Sequence, residues 1–253
     1  MLYFIGIGIS NDDISIKAIE KIKECEKVYY DCYTSFVDKE YIKKIESLTA
    51  KRIFPLKREE LEGKSKIVEE AKTKNIALLV GGESLIATTH HSIVLDLLKE
   101  KIPFEIIHSS SAISSAISES FLQVYKFGRV VTIPFWKEDY KPLSFYDYAL
   151  QNSNLSLHTL FLLDIKEEKG ELKFMSVNEA ISILRMAEKE RKKGLIKDST
   201  KIIVLSSIGK ENIKVYGELK DIEKRNIQSF PSVIILPGKL HFVEEEILSF
   251  FKV

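Results

Sequence analysis

The chain has 253 residues, enough for one large domain or two smaller ones with separate cores. Hydrophobic residues make up 45% and charged residues 30%, the balance of a globular protein in water. With 38 Lys and Arg against 37 Asp and Glu, the charge gives no reason to expect a nucleic acid or an anionic membrane as partner. No apolar run approaches the length of a membrane span. The apolar start, Met1-Leu2-Tyr3-Phe4-Ile5-Gly6, has no basic segment before it and reads as a first strand rather than a signal peptide. Two cysteines, Cys25 and Cys32, are too few for a disulfide framework and fit thiols in a reducing cytoplasm.

Residues 2–9 form a nearly continuous apolar run, as in a strand covered on both faces. Asp13 is placed to cap a helix in which Ile14, Ala18, Ile19 and Ile22 recur at helical spacing. A strand at 27–30, a helix at 39–48, an extended segment at 51–54 and a helix at 65–75 follow. A buried strand at 76–80 ends in Gly81-Gly82, before a helix at 89–101 and a strand at 104–108. Strands alternating with helices point to a parallel sheet. The small-residue segment 109–120 reads as a hinge into a second unit or as one more helix of the first. Beyond it come a β-like stretch at 129–133, an irregular loop at 134–142 with the lone Trp136, and a helix at 144–151. A strand at 158–165, a long helix at 177–191, strands at 201–206, 213–217 and 232–236, and a helix at 242–251 complete the chain. The expected architecture is two α/β domains, residues 1–112 and 113–253.

Gly6-Ile7-Gly8 lies between a strand and a helix, but Asn11 stands where a dinucleotide fingerprint needs its third glycine. Gly63-Lys64-Ser65 resembles the end of a P-loop, yet Arg58 occupies the position of the first glycine, and that reading is rejected. No Gly-x-Ser-x-Gly elbow occurs. His90, His91, His108, His158 and His241 show no ligand spacing with either cysteine, so no metal is expected. The segment from Leu79 through Gly81-Gly82-Glu83-Ser84 to His90 is more informative. Ligands of open parallel sheets bind beyond the carboxyl ends of the strands, where glycines admit a ligand to the backbone and an acid accepts its hydrogen bonds. The alternative is a capped turn with Glu83 in the first helical turn. The hydroxyl-rich stretch Ser109-Ser110-Ser111-Ala112-Ile113-Ser114-Ser115 likewise follows a strand end and reads either as a polar ligand site or as an N-capped helix.

Several stretches taken together carry a resemblance. They are Met1-Leu2-Tyr3-Phe4-Ile5-Gly6-Ile7-Gly8, Tyr33-Thr34-Ser35, Ala87-Thr88-Thr89-His90, Val124-Tyr125-Lys126-Phe127-Gly128, His158-Thr159-Leu160, Leu162-Leu163-Asp164-Ile165-Lys166 and Leu236-Pro237-Gly238-Lys239-Leu240-His241. In this order they resemble the diphthine synthase family of the tetrapyrrole methylase-like superfamily, over nearly the whole chain. The resemblance implies two α/β domains, S-adenosylmethionine in the cleft between them with S-adenosylhomocysteine as its product, and a homodimer. It also implies methylation of the aminocarboxypropyl-histidine of translation elongation factor 2, a step of diphthamide biosynthesis. By position, the family's cofactor contacts fall on Ile9, Glu83, Ile86, Ser111, Ala112, Leu163, Ile208 and Ser232; no catalytic base is assigned. Two departures stand out. Glu83-Ser84 replaces the family's usual Asp-Pro after Gly82, and Ser232 stands where a histidine is common. The competing expectations are a methyltransferase acting on a small tetrapyrrole, which shares the fold, and a non-catalytic elongation factor 2 binding protein.

Overall fold

Successive residues of a strand face opposite ways, so a strand apolar at every position must be covered on both sides. That is the situation of β1 (Leu2–Gly6), which is buried throughout. The computed structural model describes residues 1–32, 36–61, 66–168 and 171–253. The stretches Tyr33-Thr34-Ser35 and Gly63-Lys64-Ser65 lie outside the described residues. The chain divides into two compact units, Met1–Ala112 and Ile113–Val253.

In the first unit β1 is followed by α1 (Ile16–Glu24), β2 (Lys27–Asp31), α2 (Lys39–Thr49), β3 (Ile53–Leu56), α3 (Arg58–Leu61), α4 (Lys66–Ala71), β4 (Ile76–Val80), α5 (His91–Lys99) and β5 (Phe104–Ile107). The strands form one sheet in the order β3-β2-β4-β1-β5, every neighbour parallel. Leu2, Phe4, Leu78 and Val80 pack with Ile67 and Val68 of α4 and Ile93 and Leu97 of α5. The alternate residues Tyr3, Ile5, Ala77 and Leu79 pack with Ala18 and Ile22 of α1 and Ile42 and Ile45 of α2. The connection leaving β1 leads toward β2, and the one leaving β4 leads to β5 on the far side of β1. Neighbouring strands whose connections depart in opposite directions open a crevice at their carboxyl ends.

Two local expectations are corrected. Ser15, not Asp13, caps α1, its side chain accepting from the Ala18 amide; Asp13 turns back toward the end of β1 instead. The helix expected from residue 89 begins at His91, because residues 81–90 are turns and bends, which also removes Glu83 from any first helical turn. The small-residue segment forms α6 (Ala112–Ser120).

The second unit contains β6 (Val131–Ile133), α7 (Ser144–Asn154), β7 (Thr159–Leu163), β8 (Ile165–Glu168), β9 (Glu171–Phe174), α8 (Val177–Arg191), β10 (Lys201–Ser206), β11 (Ile213–Glu218), α9 (Leu219–Arg225), β12 (Ser232–Leu236) and α10 (Phe242–Ser249). Its main sheet runs β11-β10-β12-β7-β6, with β6 and β7 parallel and the other pairs antiparallel. The β8–β9 hairpin and α9 were not expected from the pattern, which is charge-rich over both segments. One sheet face packs against α7, α8 and α9, and the other against Ala116 of α6 and Leu248 of α10. Trp136 packs against the first of these cores, and its Nε1 donates to the Pro142 carbonyl at 3.3 Å. Both cysteines are thiols: Cys25 Sγ donates to Lys21 O and Cys32 Sγ to Leu56 O. Burial pushes the Cys25 thiol up to about 11.

A buried polar cluster ties the start of β7 to α10. His158 Nδ1 accepts from the Gly238 amide at 2.9 Å, and its Nε2 faces Glu244 Oε1 at 3.5 Å. Glu244 also accepts from the amides of Gln123 and His241 and from Lys126 Nζ. Burial opposes its charge, but these donors and His158 prevail and hold the carboxyl down at about 2. Burial lowers His158, which keeps Nδ1 free to accept. Because the folded carboxyl titrates below the unfolded one, its stabilisation is complete above about pH 4.5 and is lost as the pH falls toward about 2. The cluster is therefore expected to contribute on the order of 3 kcal/mol at neutral pH. Urea denaturation of Glu244→Gln should show a loss of that order at pH 7 that narrows steadily below pH 4; a loss independent of pH would contradict it.

Candidate functional site

The crevice between β1 and β4 is built from backbone. Gly8 and Gly82 exchange two hydrogen bonds, Gly82 N to Gly8 O at 2.8 Å and Gly8 N to Gly82 O at 3.2 Å. Both glycines have positive φ, 79° and 76°. At Gly82 a Cβ would find only Ser110 O within 4 Å, at 3.9 Å, so the backbone there is open to close approach.

Asp13 organises the loop after β1. Its Oδ2 accepts from the amides of Ile9 (3.0 Å) and Ser10 (3.1 Å) and from Ser110 Oγ (2.6 Å), and its Oδ1 accepts from Ser10 Oγ (2.6 Å). Burial opposes the charge, but the hydroxyl and amide donors outweigh it and hold Asp13 below the ordinary carboxylate range. The Ile9 amide also reaches Ser110 Oγ at 3.2 Å, so this N–H is used within the protein. Asp13 and Ser110 thus clamp the loops after β1 and β5 together. Asp13 was expected only as a helix cap, and Ser110 only as part of the hydroxyl-rich stretch 109–115. The local signal was an acid three residues beyond a serine, close after Gly-x-Gly.

Glu83 is nearly buried, at 9% exposure. Its Oε2 accepts from the Ser109 amide at 2.8 Å, and its Oε1 lies 3.2 Å from His108 Nδ1. The longer acid therefore spans from the end of β4 to the end of β5, with lone pairs left for a further donor. Ile86 follows on the same loop with its side chain about half exposed, Ser111 is buried and Ala112 exposed at the start of α6. The five candidate residues of the first unit thus gather around the ends of β1, β4 and β5. An acid, an open backbone edge and exposed apolar groups fit a ligand with hydroxyl or ammonium donors and an apolar part.

In the second unit Leu163 ends β7, Ile208 follows β10, and Ser232 begins the antiparallel β12. All three lie at one end of that sheet, since Leu162 pairs with Val233 and Ser206 with Ser232. Ser232 Oγ donates to Ser229 O, so Ser206 Oγ must be the donor in the 2.7 Å contact between the two hydroxyls. Among the described residues no three His, Cys, Asp or Glu side chains gather as a metal site, and no helix is long and apolar enough to cross a membrane.

Removing Asp13 leaves the Ser10 amide without its acceptor and the Ile9 amide with only the longer contact to Ser110 Oγ, at about 1.5–3 kcal/mol for bonds to a charged group. Asp13→Ala is expected to lose about 2 kcal/mol in urea denaturation, and Asp13→Asn, which keeps one acceptor oxygen, less. Equal losses in the two variants would show that the acceptor geometry is not what matters.

Residues 1–223 match the family model described as tetrapyrrole (corrin/porphyrin) methylases. The chain is 37% identical to a diphthine synthase of Methanocaldococcus jannaschii, over 99% of this chain and 98% of that one. It is 40% identical to a diphthine synthase of Methanosphaera stadtmanae, over 98% and 94%. A crystal structure of a diphthine synthase matches with a TM-score of 0.87 at 28% identity, covering 99% of this chain and 95% of that one. A solved structure from Entamoeba histolytica reaches 0.91 at 32% identity over 100% and 98%. The fold, the glycine-lined crevice at the β1/β4 switch point and similarity along the whole chain agree: the chain belongs to the tetrapyrrole methylase family and, within it, to the diphthine synthases.

Proposed function

We propose that the chain transfers methyl groups from S-adenosylmethionine to the amino group of the aminocarboxypropyl-histidine of elongation factor 2. The observation that carries this reading is the match to diphthine synthases over nearly the full length of both chains. A small tetrapyrrole substrate is not favoured, because these full-length relatives bear the diphthine synthase name. A protein that only binds the factor is likewise not favoured, because the full-length relatives are named as synthases. The reading places the enzyme in the cytoplasm as a homodimer, with no nucleic-acid or membrane partner.

The cofactor contacts are proposed to be Ile9, Glu83, Ile86, Ser111 and Ala112 in the first unit and Leu163, Ile208 and Ser232 in the second. When bound, S-adenosylmethionine supplies a methyl group already activated by its sulfonium. The protein's part is then to hold, orient and dry the reactants, which is worth up to about 7–11 kcal/mol when two groups are well aligned. Glu83, held by Ser109 and set against His108, accepts from ligand hydroxyl or ammonium groups. Ile86 supplies exposed apolar surface. The target amine must be unprotonated, and an apolar surround favours that form by penalising the charge.

Mass spectrometry of elongation factor 2 after incubation with the protein and S-adenosylmethionine should show added methyl masses on the modified-histidine peptide. None should appear when the factor lacks the precursor group; methylation elsewhere would redirect the reading to another substrate. Calorimetry with S-adenosylhomocysteine should show Glu83→Ala weakened by about tenfold to a hundredfold, the equivalent of one charged hydrogen-bond partner. Glu83→Asp should lose less. Unchanged affinity in Glu83→Ala would remove that residue from the site.

A further inference from the structure

Nothing in the reaction described above uses the buried pair formed by Asp31 and His90. Asp31 ends β2 with no exposed surface, and His90 stands just before α5 at 1% exposure. His90 Nδ1 lies 2.9 Å from the Ser84 carbonyl. A carbonyl has no hydrogen to give, so Nδ1 carries the proton and donates. The Thr88 hydroxyl donates to the same oxygen at 3.1 Å. The opposite ring nitrogen, Nε2, lies 3.1 Å from Asp31 Oδ2 without forming a hydrogen bond. His90 thus bonds the loop after β4 on one side and lies against the end of β2 on the other.

That loop needs such a tie. Between Val80, the last residue of β4, and His91, the first of α5, no helix or strand holds the backbone beyond the Gly8–Gly82 pairing. Ala87 is in the left-handed region at φ 58°. Ser84 is fully buried, leaves φ less constrained than a proline would, and directly follows Glu83, with its Oγ 3.5 Å from Glu83 Oε1. Pinning the Ser84 carbonyl fixes the Ser84–Leu85 peptide, one residue beyond Glu83, and so limits how the backbone that carries the Glu83 carboxylate can turn.

We infer that the Asp31–His90 pair positions Glu83 for cofactor binding, acting through the Ser84 carbonyl. This rests on the proposal that Glu83 contacts the cofactor. His90 is a positioning residue, and the alternative is a buried histidine that serves folding alone.

Two substitutions separate these roles. Asparagine places its amide nitrogen near the position of Nδ1, and glutamine reaches toward that of Nε2. His90→Asn should retain most affinity for S-adenosylhomocysteine. His90→Gln should lose about tenfold, the typical worth of one buried hydrogen bond, while kcat at saturating cofactor and substrate changes less than about threefold. Thr88→Val, which removes the second donor to the same carbonyl with little change of shape, should weaken affinity in the same direction and covers the case in which His90→Gln does not fold. In a Glu83→Ala background His90→Gln should cause no further loss, because its effect passes through Glu83. The inference is overturned if asparagine and glutamine weaken binding equally, if melting temperature falls while affinity stays unchanged, or if the two losses simply add in the double variant. Unchanged affinity in Glu83→Ala alone would be a different failure, that of the cofactor reading itself.

Discussion

The first unit depends on how closely two backbone segments approach where β1 and β4 end. Gly8 and Gly82 pair directly, and each needs a conformation that L side chains avoid. A Cβ at Gly8 would sit 2.1 Å from Asp13 Cβ, and one at Gly6 would sit 2.7 Å from Gly82 O. These are collisions with backbone and with a short, tethered side chain, which cannot move aside. The glycines are therefore required by the fit between the loops. Once the loops are this close, Ile9 and Glu83 arrive beside the serines after β5, and a crevice with an open backbone edge results.

The carboxylates around this crevice are held before any ligand arrives. Asp13 is surrounded by hydroxyl and amide donors, which outweigh the penalty of its partial burial. Glu83 spans two strand ends, and the loop carrying it is fixed from behind by Thr88 and His90. A methyl transfer that asks for alignment rather than for a strong acid or base gains from such fixed loops, because geometry set during folding is not ordered again at each turnover.

The second unit places its recognisable segments elsewhere. Gly128, His158, Gly238 and Glu244 converge where β7 begins and β12 has ended. A Cβ at Gly128 would strike Asn152 Oδ1 at 2.2 Å, where Asn152 bonds both backbone groups of Arg129, and one at Gly238 would strike Ser156 O at 2.4 Å. Leu163, Ile208 and Ser232 lie at the opposite end of the same sheet. The segments around Gly128, His158 and Gly238 thus mark a buried polar lock that holds the unit together.

The pattern of the sequence was sufficient for what local rules control. The apolar runs of β1 and β4 require two covered faces, the 3.6-residue spacing in α1, α2 and α8 marks amphipathic helices, and Gly81-Gly82-Glu83 signals a ligand-admitting strand end. That Glu83 and Ser111 lie just beyond strand ends was legible because the apolar runs before them mark where β4 and β5 stop. Asp13 was misread because its carboxylate turns back to the Ile9 and Ser10 amides rather than forward to a helix, and its further partner Ser110 is 97 residues away. The β8–β9 hairpin was hidden because a charge-rich ribbon lacks the apolar alternation that betrays a strand. The mostly antiparallel pairing of the second sheet and the contact between Asp31 and His90 could be decided only by the tertiary structure. Strand order and buried pairs are fixed by which surfaces meet, and neighbours along the chain carry no record of that.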